Sequence, residues 1–316
     1  MTTQQTKRGA TTNVVALALD DKMVYGFLVL VHALVTTTRR PLSLLVGFFK
    51  GKLSESNIAL VLDYLTWIGA DHEIRELTAH ELFTERRHLT ITTFSKFVLS
   101  DQYDGAHLWV DLDTVALPGW DDMFDAMQAA PKGVRMIVAD KIAGPQTRFD
   151  GFNAGILGWT RHPRKEWLSE LANLPEKRFS SEQYLFNTLY LDSVDYVPVG
   201  YNFLSSWHKN FSTTADVRII HYSGPIKPWH LARRHRRAWR SINPTWESWF
   251  TAEDAMETAT MPSSLSSRVA RAKREALFSG RLHTGKGALA GWVMRALAVL
   301  GPVGHPIVAV IKMRSA

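Results

Sequence analysis

Two aspartates, two residues apart, close the apolar run Leu108-Trp109-Val110 in the stretch Leu108-Trp-Val-Asp-Leu-Asp-Thr114. In extended chain, residues i and i+2 project to the same side, so Asp111 and Asp113 would present their carboxylates together. Their repulsion asks for positive charge between them, and a divalent ion chelated by a nucleotide diphosphate meets that need. A strand-end turn with two solvated aspartates is the plain alternative, because an Asp-x-Asp spacing is common. A histidine, His221, ends a second apolar run (217–220) and opens His221-Tyr-Ser-Gly-Pro-Ile-Lys-Pro-Trp229. An imidazole beside two carboxylates makes a mixed nitrogen and oxygen site, which suits Mn2+ better than Mg2+. Gly224 lets a ligand approach the backbone, and Lys227 carries charge that neutralises a diphosphate. Taken alone, this segment reads equally as a turn with a buried histidine and a surface lysine.

Two further segments carry polar groups without standing alone. Phe152-Asn-Ala-Gly-Ile-Leu-Gly-Trp159 sets small residues beside Asn153, a tight hydrogen-bonding floor or a glycine-rich strand entry. Ser181-Glu-Gln-Tyr-Leu-Phe-Asn187 puts Glu182 and Gln183 in a first helical turn, where they face a pocket or simply favour the turn.

The elements that must position these residues are legible in the hydrophobic pattern. Residues 13–19 (NVVALAL) form a continuous apolar run ending in Asp20-Asp21, as a buried parallel strand does. Residues 23–35 read as a helix, 42–48 as a strand, and 55–68 as a helix with Ser54 as N-cap. Strands are expected at 108–110, 136–138, 154–159 and 217–222, and helices at 165–174 and 181–191. Strands alternating with helices imply an α/β fold, a mostly parallel central sheet with helices on both faces. Residues 264–279 read as a helix with Leu265, Val269, Ala272 and Ala276 in one stripe and Arg268, Arg271 and Arg274 off it. Residues 288–300 form a second amphipathic stretch before Gly301-Pro302. The domain boundaries that follow are a loose N-terminus (1–12), a catalytic domain (13–240) and a basic, tryptophan-containing helical tail (241–316). Residues 66–89 and 195–216 read as loops that would meet an acceptor.

Composition bounds the function. At 316 residues, 46% apolar and 21% charged, the chain is globular rather than disordered. With no cysteine there is no disulfide scaffold, thiolate metal site, iron–sulfur cluster or cysteine nucleophile. The net charge of +7 is uneven. Residues 1–226 hold 22 Lys and Arg against 25 Asp and Glu; residues 227–316 hold 15 against 5. A near-neutral body with a basic tail argues for an interaction surface at the C-terminal end. No secretory signal is visible in MTTQQTKRGATT. The apolar run at 24–35 is too short to span a bilayer, which takes about 20 residues. Residues 287–311 are long enough but carry Arg295, Pro302, His305 and Pro306; they read as lying on a membrane or packing on the body.

Taken together and in order, these motifs resemble glycosyltransferase family 8, the retaining, nucleotide-sugar-dependent group. The resemblance spans about residues 14–239. It rests on Leu19-Asp-Asp21, Ile91-Thr-Thr-Phe-Ser-Lys96, the Asp-x-Asp strand, Asn153-Ala-Gly155, the Glu182-Gln183 helix and, above all, residues 221–230. It implies a GT-A fold and a UDP-sugar donor, here a UDP-hexose. Asp111, Asp113 and His221 would hold Mn2+, with Mg2+ as the alternative ion. Asp20, with Asp21 beside it, would meet the uracil or ribose. Gly224 and Lys227 would hold the diphosphate. Lys96 matches an arginine that reaches the donor sugar in related bacterial enzymes. Asp140, Asn153, Ala154, Glu182 and Gln183 match positions that bind sugar hydroxyls or lie beneath the anomeric carbon. Two departures stand out. Where the family has Asp-Asp-Asn-Tyr, this chain has Asp20-Asp-Lys-Met23, so the tyrosine that stacks on uracil is absent and Tyr25 is left as an open replacement. Where the family has Asp-Gln-Asp, it has Glu182-Gln-Tyr184.

The resemblance implies transfer of galactose or glucose to a hydroxyl of a glycan or glycolipid acceptor. Gln183 matches the position beneath the sugar, and an amide is a poor nucleophile, which favours front-face attack. Arg233, Arg234, Arg236, Arg237 and Arg240 lie near Trp229, Trp239, Trp246 and Trp249, a combination suited to an anionic bilayer surface or to a solvated face with tryptophans packed inward. On the first reading the enzyme sits in the cytoplasm, peripheral on the inner face of the plasma membrane. The competing functions are a UDP-sugar-binding protein without turnover and a basic nucleic-acid-binding protein; the latter leaves the four motifs unexplained, so no nucleic-acid partner is expected.

Overall fold

The computed structural model describes residues 13–83, 90–141, 151–160, 166–173, 182–212, 216–224, 227–231, 233 and 236–279. The elements run β1 (Asn13–Ala18), α1 (Val24–Thr37), β2 (Leu42–Phe49), α2 (Glu55–Trp67), β3 (Asp71–Leu77), α3 (Ser95–Asp101), β4 (His107–Val110) and β5 (Thr114–Ala116). They continue with α4 (Met123–Gln128), β6 (Met136–Ala139), β7 (Ile156–Trp159), α5 (Trp167–Asn173), α6 (Glu182–Tyr190), β8 (Val194–Val197), β9 (Phe203–Leu204) and β10 (Ile219–His221). Three helices follow: α7 (Arg236–Ile242), α8 (Trp246–Thr258) and α9 (Ser263–Ser279).

A seven-stranded sheet in the order β3-β2-β1-β4-β7-β6-β8 forms the centre. Only β7 runs against its neighbours β4 and β6; the remaining pairings are parallel. Successive residues of β1 enter different cores. Val15 and Leu17 pack on one face with α1, α2, α4, α8 and α9, while Val14, Ala16 and Ala18 pack on the other with α3, α5 and α6. A strand buried on both faces must be apolar throughout, which is why NVVALAL shows no alternation. The expected α/β architecture with helices on both faces is the one observed.

Helix α1 is buried along Val24–Leu34. Apolar all round, it needs cover on its outer side, and α8 and α9 supply it. The stripe read in α9 does this packing: Leu265, Val269, Ala272 and Ala276 are all buried. The tryptophans expected at a bilayer surface are turned inward. Trp229, Trp246 and Trp249 are buried, with Trp229 and Trp249 5.2 Å apart between ring centroids. Burying them covers α1, so the docking expectation loses these side chains and keeps only its arginines. Arg236 is buried as well, bonded to Glu253 and, at 2.6 Å, to Asp254. No helix among the described residues is long and apolar enough to cross a membrane. The stretch 288–300 and the N-terminal 1–12 lie outside the described residues.

The segments read as loops are partly ordered strands. β3 falls within 66–89 and pairs with β2; β9 and most of β8 fall within 195–216. A second, three-stranded sheet, β5-β10-β9, stands beside the first and carries His221 at the end of β10.

Candidate active site

The C-terminal ends of β1, β4 and β6 and the start of the reversed β7 share one edge of the large sheet, where ligands gather in open α/β folds. The turn from β4 into β5 holds Asp111 and Asp113. The Asp111 amide donates to the Gly155 carbonyl at 2.8 Å, and the Thr114 hydroxyl closes onto the Asp111 carbonyl at 2.7 Å. The small sheet then delivers the histidine: His221 is paired with Thr114, and the next amide, of Tyr222, donates to the Asp113 carbonyl at 2.7 Å. Backbone ladders thus bring residues 111, 113 and 221 together, with one ligand atom of each within 4.8 Å of the others.

That spacing, and a donor set of two carboxylate oxygens and one imidazole nitrogen, fit a divalent ion. The electrostatics agree. Burial pushes the Asp111 carboxyl up; Lys96 draws it down, and the charge of Asp113 raises it again. Burial would raise Asp113 too, but Lys227 and His221 outweigh it and hold this carboxyl well below the usual carboxylate range.

Two lysines brace the carboxylates. Lys227 bonds to Asp113 and donates to the Tyr222 carbonyl at 3.0 Å. Lys96, nearly inaccessible, donates to Asp111 at 3.1 Å, Glu182 at 3.2 Å and the Ala154 carbonyl at 2.9 Å. Burial works against its charge, yet the two carboxylates prevail and hold its pKa above the ordinary lysine value. Glu182 Oε2 is buried and has no hydrogen-bond partner among the described residues. Gln183 Oε1 accepts from Asn153 Nδ2 at 2.9 Å and the Ala154 amide at 3.4 Å.

Of the sequence-derived candidates, Lys96, Asp111, Asp113, Asn153, Ala154, Glu182, Gln183, His221 and Lys227 thus meet in one network. Asp20 lies at the end of β1, bonded to the Lys22 amide at 3.0 Å and the Thr92 hydroxyl at 3.3 Å; burial raises its pKa. Gly224 is exposed, and a side chain there would point into open space. Asp21 takes a different part: its carboxylate accepts from the Ser54 amide and hydroxyl and from Asn57 Nδ2, tying the first loop to the start of α2. Ser54 takes the N-cap position without a side-chain cap bond; its hydroxyl donates to Asp21 instead. Asp140 ends β6 on the same sheet edge, exposed and bonded to the following amide at 2.7 Å. Tyr25 is buried against α8, its hydroxyl 2.7 Å from both Glu253 and Glu257, so it does not replace the nucleobase-stacking tyrosine.

Two residues of the network escape sequence reasoning. Trp109 Nε1 donates to Asp111 at 2.8 Å. Asn202 is buried, faces His221 Nδ1 at 3.0 Å and donates to Asn153 at 2.9 Å. A lone asparagine in a segment read as loop gives no signal.

The glycosyl transferase family 8 model matches residues 14–232, and the chain belongs to this family. Its architecture is the GT-A fold of solved neighbours. A crystal structure of the galactosyltransferase LgtC in complex with donor and acceptor sugar analogs superposes with a TM-score of 0.62 at 19% identity, covering 81% of this chain and 99% of that one. The glycosyltransferase GlyE of Streptococcus pneumoniae TIGR4, in its apo form, gives 0.57 at 20% identity over 83% and 64% of the two chains. The bifunctional glycosyltransferase WbbM gives 0.57 at 14% identity over 85% and 53%. At these identities the likeness is one of fold. No curated protein matches the chain in sequence.

Proposed function

We propose that this family 8 member is a retaining hexosyltransferase that takes galactose or glucose from a UDP-sugar to a hydroxyl of a glycan or glycolipid, using Mn2+. The observation that carries the proposal is the meeting of Asp111, Asp113 and His221 beside Lys227. When bound there, the ion supplies Lewis-acid polarisation of the diphosphate, worth several kcal/mol of barrier. Lys227 offsets the charge that gathers on departing UDP. Lys96 holds Asp111 and Glu182 in place, and Glu182 Oε2 is left to accept from a sugar hydroxyl. The bond between the anomeric carbon and the diphosphate oxygen breaks as the acceptor oxygen bonds to the same face. The acceptor proton passes to the departing diphosphate. Gln183 is a poor nucleophile and its amide oxygen already accepts two hydrogen bonds, which supports this front-face course over a glycosyl–glutamine intermediate. A solved variant of LgtC carries an active-site glutamine replaced by glutamate, which is in keeping with a glutamine at this place.

Titration calorimetry of UDP with Mn2+ tests the reading: Asp111→Asn should abolish the Mn2+-dependent binding that the wild type displays. Donor hydrolysis measured across UDP-galactose, UDP-glucose and related donors, without acceptor, separates a live transferase from a UDP-sugar-binding protein and ranks the sugars. Trapping a glycosyl adduct on a wild-type side chain would overturn the front-face course. We also propose that exposed Arg233, Arg237 and Arg240 favour an anionic membrane surface on the cytoplasmic side. A protein lacking residues 281–316 and these three charges that still pellets with anionic vesicles would refute it.

A further inference from the structure

We infer that Asn202 is a positioning residue: a set of hydrogen bonds whose directions the Gly155 amide fixes keeps a proton on His221 Nδ1 and leaves Nε2 for the divalent ion. The inference rests on the metal reading above and deepens it.

The directions follow from groups that only donate. A backbone N–H cannot accept. The Gly155 amide gives its proton to Asn153 at 2.9 Å, so the atom receiving it is Oδ1 and the other end of that side chain is the NH2 group. Asn153 Nδ2 therefore donates to Gln183 at 2.9 Å, and the Ala154 amide, a second fixed donor, reaches the same Gln183 oxygen at 3.4 Å. Asn202 meets Asn153 Oδ1 at 2.9 Å and must offer its own NH2 there. Its remaining atom, Oδ1, faces His221 Nδ1 at 3.0 Å. Two lone pairs at that distance would repel, so Nδ1 carries a proton and donates it to Asn202. Nε2 lies on the carboxylate side, 3.2 Å from Asp113 Oδ1, where a bound ion would take the place of any proton on that nitrogen.

Sterics reinforce the direction. A Cβ on Gly155 would lie 2.3 Å from His221 Cε1 and 2.4 Å from Nδ1. The ring is seated against the bare backbone of the residue whose amide orients the set. One set of bonds thus orients the histidine at the ion and the glutamine assigned beneath the sugar.

The test uses the full-length protein, Mn2+ alone as probe, and two variants. Asn202→Leu removes both bonds; Asn202→Asp keeps an acceptor for Nδ1–H and loses the donor to Asn153. Imidazole 15N shifts of metal-free wild type, with His221→Gln for assignment, should report a proton on Nδ1. Asn202→Leu should lose that placement and bind Mn2+ about 10- to 100-fold more weakly by electron paramagnetic resonance. Asn202→Asp should keep the wild-type shifts and stay within about threefold in Mn2+ affinity. A wild-type ring protonated on Nε2 alone, or wild-type Mn2+ affinity in Asn202→Leu, overturns the inference. If Asn202→Leu fails to fold, the shifts of wild type and Asn202→Asp decide it. Wild type that binds no Mn2+ counts against the metal reading instead, while the shifts still decide the tautomer.

Discussion

The Tyr25 hydroxyl donates a 2.7 Å hydrogen bond to Glu253, tying the first helix of the sheet to α8, beyond the end of the family match. Glu253 is buried and also holds the buried guanidinium of Arg236, with Lys273 of α9 3.1 Å away. The C-terminal helices are therefore locked to the catalytic body by a buried charged network.

Breaking that network from one side should be costly. Glu253→Ala leaves the buried Arg236 with Asp254 alone and the Tyr25 hydroxyl with Glu257 alone. We expect a loss of about 3 kcal/mol in urea unfolding, the low end for removing one partner of a buried ion pair, against about 1 kcal/mol for Tyr25→Phe, which removes a single hydrogen bond. Equal losses would mean that Glu253 does not hold the network.

Lys96 presents the same situation at the active site. Lys96→Met leaves Asp111 and Glu182 buried without their shared cation, and unfolding should show a loss of about 3–5 kcal/mol. Adding Glu182→Gln to Lys96→Met should recover part of that loss, because one stranded charge is gone. An additive double variant would show that the two residues do not interact.

Gly26 makes room for the tryptophan two residues beyond the lysine that braces Asp113. A Cβ at this position would come within 2.8 Å of the Trp229 ring, two residues from Lys227. Gly26→Ala should cost about 1–3 kcal/mol of stability by overpacking and weaken Mn2+-dependent UDP binding. In a Lys227→Met background the binding effect should vanish. If it persists there, Gly26 does not act through Lys227.

Acid sensitivity should come in part from His32. It is buried in α1, 3.2 Å from the Tyr64 hydroxyl, and burial lowers its pKa. The folded protein therefore binds a proton less readily than the unfolded chain, whose histidine titrates near about 6.5. Stability contributed by the neutral ring is complete above that value and is lost as the pH falls below it. Melting temperatures followed from about pH 7.5 to about 5.5 should fall less steeply for His32→Gln than for wild type. Parallel curves would remove His32 from the account.

The chemistry at strand ends was legible because burial marks it: Asp111 and His221 each follow a short apolar run, and a carboxylate or imidazole at such a boundary is conspicuous. What was not legible depends on partners distant in sequence. The β3 strand is half exposed at a sheet edge, so DHEIREL lacks the apolar run that announces a strand, and its pairing with β2 defines it instead. The tryptophans of residues 229–249 left two destinations open, a bilayer surface or the body, since composition does not reveal that α1 needs cover. The partners that hold Asp21 and Tyr25, Ser54 and Glu253, lie 33 and 228 residues further on.

The pairing of His221 with Thr114 places the three candidate metal ligands by main-chain geometry. If they hold an ion as proposed, a chelator stripping it would leave that scaffold set, and loading and unloading would need only ligand exchange and no refolding. On such a plan, preference for one metal over another rests on interchangeable side chains, and it can drift over evolutionary time while the framework stays still.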